Sequence, residues 1–192
     1  MRESQIDRKT METEISVKLN IDGSSKYNIN CEFKFFKHML EQFAYHSGFD
    51  VDINAVSLDG DEHHLVEDVA LALGCALSDA LKDKKGINRY GQFILPMDDA
   101  LVMCAVDLSG RPYSKVTSTI TEEKISDFST ILIPHFFNSL AQNAGMCVHI
   151  KQLEGTDAHH TAEAMFKSFA RALKQAVTAG NSEEIPSTKG IL

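Results

Sequence analysis

The chain is written twice. Asp61-Glu62-His63-His64-Leu65-Val66-Glu67-Asp68 and Asp157-Ala158-His159-His160-Thr161-Ala162-Glu163-Ala164 stand 96 residues apart, and each is His-His-x-x-Glu followed by an apolar helical pattern. Any fold must therefore house two copies of one supersecondary unit. The likeness runs upstream: residues 38–53 lie over 135–150 at an offset of 97, so that His38 falls on His135, Ala44 on Ala141, Gly48 on Gly145, Val51 on Val148 and Ile53 on Ile150. One gap in the following loop changes the offset to 96. Ala76, Leu77 and Ala80 then fall on Ala172, Leu173 and Ala176. The repeated unit is about 90 residues long.

Apolar periodicity assigns the elements of each copy. Residues 15–21 alternate, Asp22-Gly23-Ser24-Ser25 turns the chain, and a second strand lies near 27–31; residues 100–107, the turn Ser109-Gly110-Arg111-Pro112 and residues 113–119 repeat the pattern. Residues 35–46 and 131–143 read as helices, each followed by a short strand, 49–56 and 146–153. Two long helices come last, with apolar stripes Val66, Val69, Leu73, Leu77, Leu81 and Met165, Phe166, Phe169, Leu173, Val177. Each half thus reads as β-hairpin, helix, strand, helix, with 86–91 and 95–99 linking the halves and a polar tail over 183–192. The expected fold is α+β: one domain of two repeat halves, about 1–95 and 96–192, each a small mixed sheet with helices on one face, the helical layers packed together.

The repeated cluster points to metal. If each copy opens a helix, His63 and Glu67 stand four residues apart on one face, as do His159 and Glu163, so each pair can grip one ion. The adjacent His64 and His160 point about 100° further round. Each cluster therefore offers ligands to two different ions. Capping or solvation also explains a His pair, but capping requires neither the second His nor a Glu at fixed spacing. With the aligned His38 and His135, the candidate ligands are His38, His63, His64 and Glu67 in the first half and His135, His159, His160 and Glu163 in the second. Imidazole and carboxylate without thiolate suit Mn, Fe, Co, Ni or Zn. The count favours two ions, each with three His and one Glu.

Length and charge bound the rest. A chain of 192 residues, 43% of them hydrophobic, can bury a proper core. Its net charge of −8 disfavours nucleic acid and anionic membrane as partners, though not a local basic pocket for a small phosphate. The Cys at 31, 75, 104 and 147 form no Cys-x-x-Cys pair and read as reduced core residues of a cytoplasmic protein. Neither a membrane span nor a secretory leader is expected.

Eight ordered segments resemble the imidazoleglycerol-phosphate dehydratase family. They are Arg8-Lys9-Thr10-Met11-Glu12-Thr13-Glu14-Ile15, Phe36-Lys37-His38-Met39-Leu40-Glu41-Gln42, the first His pair with its flanks, Ile87-Asn88-Arg89-Tyr90-Gly91, Asp107-Leu108-Ser109-Gly110-Arg111-Pro112, His135-Phe136-Phe137, the second His pair through Lys167, and Pro186-Ser187-Thr188-Lys189-Gly190. One departure is Asp157, where the family usually has Asn; it removes no candidate ligand.

The resemblance implies a fold like the second domain of ribosomal protein S5 and a hydro-lyase of histidine biosynthesis, which removes water from imidazole glycerol phosphate to give imidazole acetol phosphate. It also implies two Mn²⁺ per chain and a homo-oligomer of 24 chains built from trimers, with active sites between subunits. On this view His63, Glu67 and His160 serve one ion and His159, Glu163 and His64 the other, with His38 and His135 divided between them in an order left open. The reaction needs help because the carbon-bound proton has no carbonyl beside it. A metal acting as Lewis acid on the imidazole favours loss of the ring N–H, the ring then expels the neighbouring hydroxyl, and the resulting diazafulvene has an acidic C–H. The family pattern makes Glu12 the candidate base and sets His46 with it in the catalytic group. Gln42, Arg89, Arg111, Lys167, Ser187 and Lys189 are the candidate contacts to substrate and its phosphate. A dinuclear hydrolase or a metal-storage protein would share the ligands. Storage, however, would not call for Glu12 or the basic residues.

Overall fold

The computed structural model describes residues 1–180 and 184–192; the expected polar tail starts at Glu183, which lies outside the described residues. The first half runs β1 (Glu3–Lys9), β2 (Thr13–Asn20), β3 (Tyr27–Cys31), α1 (Lys34–Ser47), β4 (Asp50–Ser57) and α2 (Glu62–Leu81). The second runs β5 (Tyr90–Met97), β6 (Ala100–Asp107), β7 (Tyr113–Thr117), a short β8–β9 hairpin (Lys124–Ile125 and Phe128–Ser129), α3 (Leu132–Ala144), β10 (Cys147–Glu154) and α4 (Ala158–Val177). The sheet orders are β1-β2-β4-β3 and β5-β6-β10-β7, one topology used twice.

The α+β architecture with duplicated halves is as expected, but the hairpins are not the expected ones. Residues 15–21 and 27–31 do not pair with each other. β2 pairs antiparallel with β1 and β4, and β3 runs parallel to β4 on its far side. The second sheet repeats this, with β5–β6 as its hairpin and β10 between β6 and β7. β5 covers residues expected to link the halves, so the sheets divide between Leu81 and Tyr90, not near residue 95. Alternation marks a strand by its buried face; it says nothing of its hydrogen-bonding neighbour.

Each strand turns its apolar face to the helices: Ile15, Val17 and Leu19 of β2 are buried, as are Ala100, Val102, Cys104 and Val106 of β6. The two helical layers then meet, α2 against α3 and α1 against α4. Gly74 on α2 permits the first contact, because a Cβ there would stand 2.7 Å from the Leu140 carbonyl oxygen. Phenylalanines fill the middle: Phe137 and Phe166 lie 4.9 Å apart between ring centroids, Phe136 and Phe166 5.2 Å, and Phe43 and Phe169 5.9 Å. Such pairs add about 0.5–1.5 kcal/mol each beyond burial. They join α1 and α3 to α4, whose first turn carries the second His pair.

Candidate metal centres

Both long helices begin with an aspartate cap. Asp61 accepts from the His63 N–H at 2.7 Å and Asp157 from the His160 N–H at 2.9 Å. Asp157, the departure from the family Asn, therefore caps as Asp61 does, since either side chain offers an oxygen to an unpaired first-turn N–H. The caps fix where each His pair starts.

Because α2 meets α3 and α1 meets α4, each helix start from one copy faces a helix of the other. His63 and Glu67 on α2 converge with His135 on α3, and His159 and Glu163 on α4 converge with His38 on α1; in each trio the ligating atoms lie within 4.8 Å of one another. The Nε2 atoms of His38 and His159 each stand 3.2 Å from Glu163 Oε2, and His135 Nε2 stands 3.7 Å from Glu67 Oε1. The sequence left open which of His38 and His135 joins which pair; helix packing decides it.

His64 and His160 lie in neither trio. The helical turn sends them aside, as expected, so that His64 Nδ1 meets Asp59 Oδ2 at 2.7 Å and His160 Nδ1 meets Asp99 Oδ1 at 2.8 Å. These hydrogen bonds to Asp59 and Asp99 raise the pKa of His64 and His160 above the ordinary value. Within one chain each trio is therefore two His and one Glu.

The trios suit a divalent cation. His135 Nε2 is buried, has no hydrogen-bond partner among the described residues and faces the Glu67 carboxylate, a costly arrangement unless something bridges them. Around Glu163, burial pushes the carboxyl up, but Lys167 and His38 outweigh it and hold the group below its ordinary range. It is a buried carboxylate kept ionised, as a ligand must be. An all-nitrogen-and-oxygen set fits Mn, Fe, Co, Ni or Zn.

The remaining candidates fall in two places. Gln42 and Lys167 sit at the His38 trio: Gln42 Nε2 is 3.5 Å from His38 Nδ1, and Lys167 Nζ is 2.6 Å from Glu163 Oε1. The pKa of His46, two turns beyond His38 on α1, is lowered from the ordinary value by burial and by the nearby Lys167 and Arg171 charges. Arg89, Arg111, Ser187 and Lys189 instead line one concave patch with the tail, which Lys167 does not reach. Arg89 donates to both oxygens of Asp107, at 2.7 and 3.2 Å, and to the Pro186 carbonyl at 2.9 Å, which binds the tail to β6. The Arg111 and Lys189 side chains make no ion pair among the described residues and remain available to an anion. A larger concavity of about 600 Å³, on the outer face of the first sheet among Glu3, Lys18, Asn28 and Asp52, contains no candidate residue.

Glu12 occupies the β1–β2 turn, half-exposed, with its carboxylate 3.8 Å from His64 Nδ1. The surrounding motif builds that turn. Thr10 Oγ1 accepts from the N–H groups of Glu12 and Thr13, while Arg8 and Thr13 both donate to the buried Asp68 of α2. Asp59, Asp68 and Asp99 were not legible as site residues, because each stands beside other acidic residues and nothing in its spacing sets it apart from them.

Residues 31–173 match the family model for imidazoleglycerol-phosphate dehydratase. The enzymes of that name from Ruegeria pomeroyi and Acetivibrio thermocellus are 49% and 48% identical to this chain, which is covered in full against 100% and 99% of their lengths. Among solved structures, imidazoleglycerol-phosphate dehydratase from Staphylococcus aureus superposes with a TM-score of 0.84 at 37% identity, over 92% of this chain and 99% of that one. The Pyrococcus furiosus enzyme in complex with (S)-C348 gives a TM-score of 0.85 at 39% identity, over 97% and 100%. With its duplicated halves and paired His-His-x-x-Glu helix starts, the chain belongs to the imidazoleglycerol-phosphate dehydratase family, whose hydro-lyase reaction is a step of histidine biosynthesis.

Proposed function

We propose that this chain dehydrates imidazole glycerol phosphate with two Mn²⁺ ions per chain, one at each His-His-Glu trio. The carrying observation is the buried His135 Nε2, which faces Glu67 and has no hydrogen-bond partner among the described residues, together with a second trio of the same composition in the other helix pair. Bound there, the ions supply Lewis acidity toward the imidazole ring and the leaving hydroxyl. Glu12 takes the carbon-bound proton; its exposed turn, ordered by Thr10, Thr13 and Asp68, presents to a substrate a carboxylate that His64 approaches only at 3.8 Å. Arg111, Lys189 and Ser187 hold the phosphate, with Arg89 securing the tail that carries two of them. Gln42 and His46 orient the polar end of the substrate near His38, and Lys167 balances charge at Glu163 while facing the same ligand.

Each trio lacks one His of the expected set of three His and one Glu, and His64 and His160 point away from both. We therefore assign His64 and His160 to trios of neighbouring chains, which places the active sites between subunits and suits a closed 24-chain particle built from trimers. The four free cysteines fit the cytoplasm.

Metal analysis coupled to an assay for imidazole acetol phosphate tests the reading. Dehydration that needs Mn²⁺ at two per chain supports it. Dehydration by fully chelated protein, or phosphatase or amidase turnover with no dehydration, overturns it.

A further inference from the structure

His64 and His160 are treated alike by carboxylates from different places. Asp59, in the loop before α2, uses Oδ1 to accept from the Asp61 N–H at 2.9 Å and the Ser57 hydroxyl at 3.1 Å, and gives Oδ2 to His64 Nδ1. Asp99, in the β5–β6 turn, uses Oδ2 to accept from the N–H groups of Thr156 and Asp157 at 2.6 and 3.0 Å and from the Thr156 hydroxyl at 3.2 Å, and gives Oδ1 to His160 Nδ1. In each case one oxygen is fastened to the loop that enters the helix. The other faces the imidazole.

The repeat shows that the two carboxylates are not equivalent. Val17 pairs with Ile53 and Cys104 with Ile150, and Ile53 and Ile150 are aligned by the duplication, so β2 lies over β6 with Thr13 on Ala100. The residue before each strand is then Glu12 in the first half and Asp99 in the second. Asp59 lies in the loop where the gap falls, and the corresponding loop of the second half, Gly155-Thr156, carries no carboxylate. The position that orients His160 in one half is the candidate base in the other.

We propose that Asp59 and Asp99 are positioning residues that hold His64 and His160 with the proton on Nδ1 and the Nε2 lone pair free for an ion, and that Asp59 relieves Glu12 of this duty and frees it for substrate. The proposal rests on the two-ion reading above. A carboxylate only accepts, so the ring atom that meets it must donate. That leaves Nε2 as the ligand, and a metal-bound imidazole characteristically donates its other N–H to a carboxylate. The loop donors that meet the other oxygen of each aspartate fix the carboxylate in place against its ring. At His160, Asp98 approaches Nε2 at 3.5 Å from an exposed position, a contact that an ion would replace. Glu12 stands 3.8 Å from His64 Nδ1, beyond hydrogen-bonding distance, and its place is filled by Asp59.

Substitution by Asn discriminates. An amide has one accepting oxygen; at position 99 the Thr156 and Asp157 N–H groups claim it, which turns the NH₂ to His160 Nδ1 and drives the ring proton to Nε2. The first measurement is histidine ¹⁵N NMR on metal-free full-length protein at a pH where both rings are neutral, with the two residues assigned through His64→Gln and His160→Gln. Protons on Nδ1 are expected, and a proton on Nε2 of either ring overturns the proposal without any further variant. The second is Mn²⁺ titration of D59N and D99N, each expected to lose about 10–100-fold in affinity at half of the sites, while E12Q titrates like the unmodified chain. Titration curves for D59N and D99N that superimpose on the unmodified protein's reject the orienting role alone. No Mn²⁺ uptake by the unmodified chain instead sinks the two-ion reading.

Discussion

The imidazole rings of His63 and His135, contributed by opposite copies of the repeat, lie 4.4 Å apart between centroids at an interplanar angle of 39°. Two imidazoles so close beside a carboxylate are arranged for a shared cation. Elemental analysis of metal-replete protein should find two Mn per chain, and His135→Ala should empty one site. One tight metal per chain that His64→Ala leaves in place would exclude the two-ion arrangement. Chelation should abolish dehydration.

Glu12→Gln should keep both metals and still bind substrate, because Glu12 lies outside the two His-His-Glu trios and clusters instead with Asp59 and His64. Turnover should fall about 10²–10⁴-fold, the usual worth of a general base. Steady-state kinetics with metal content measured on the same sample checks this; near-normal turnover removes Glu12 from the mechanism.

Arg111→Ala and Lys189→Ala should chiefly raise KM, about 10–100-fold for the loss of a charge-assisted hydrogen bond, since phosphate is held alike in ground and transition states. Deleting residues 185–192 should spare the metals while weakening substrate binding through loss of Ser187 and Lys189. A fall in kcat with KM unchanged would place these groups at the reacting atoms instead.

If His64 and His160 complete the trios of neighbouring chains, each ion cross-links subunits and its binding energy becomes assembly energy. Chelation should break the particle into smaller rings, most simply trimers, and Mn²⁺ should rebuild it. Light scattering that shows the full mass with metal confirmed absent would mean that subunit contacts alone hold the shell.

Asp127, between β8 and β9, caps α1 from outside: it accepts from the N–H groups of Lys34 and Phe35 at 2.7 and 3.0 Å, where Phe33 at the N-cap provides no side-chain bond. Asp127→Ala should cost about 1 kcal/mol, read as a lower denaturation midpoint. Burial alone would raise this carboxyl, but the Phe35 and Lys34 N–H groups outweigh it and lower its pKa from the ordinary 3.8. Its contribution is therefore present above that value and fades as pH falls below it. Equal midpoints for the two proteins at pH 7 would refute the cap.

Much of this was legible because it is local. The i, i+4 spacing of His63 with Glu67 and of His159 with Glu163 follows from helical geometry, the divergence of His64 and His160 from the same geometry, and the repeat from direct comparison of the two halves. β1 was missed since it packs only one side of a sheet edge and its outer residues stay exposed, which blurs alternation. The β2–β3 hairpin was misassigned because a turn signal shows that the chain reverses, whereas the strand that fills the adjacent place is set by which apolar faces can share a core. The amino-acid sequence by itself determined the four helices, the ligand types, their spacing along each long helix and the family. Only tertiary packing decided that His135 joins His63 and His38 joins His159, and that Asp59 and Asp99 meet the two remaining imidazoles. The two trios depend on where α2 meets α3 and where α1 meets α4, and those meetings are set by Gly74 against Leu140 and by Phe43 against Phe169 across the interior, not by any one segment of the chain.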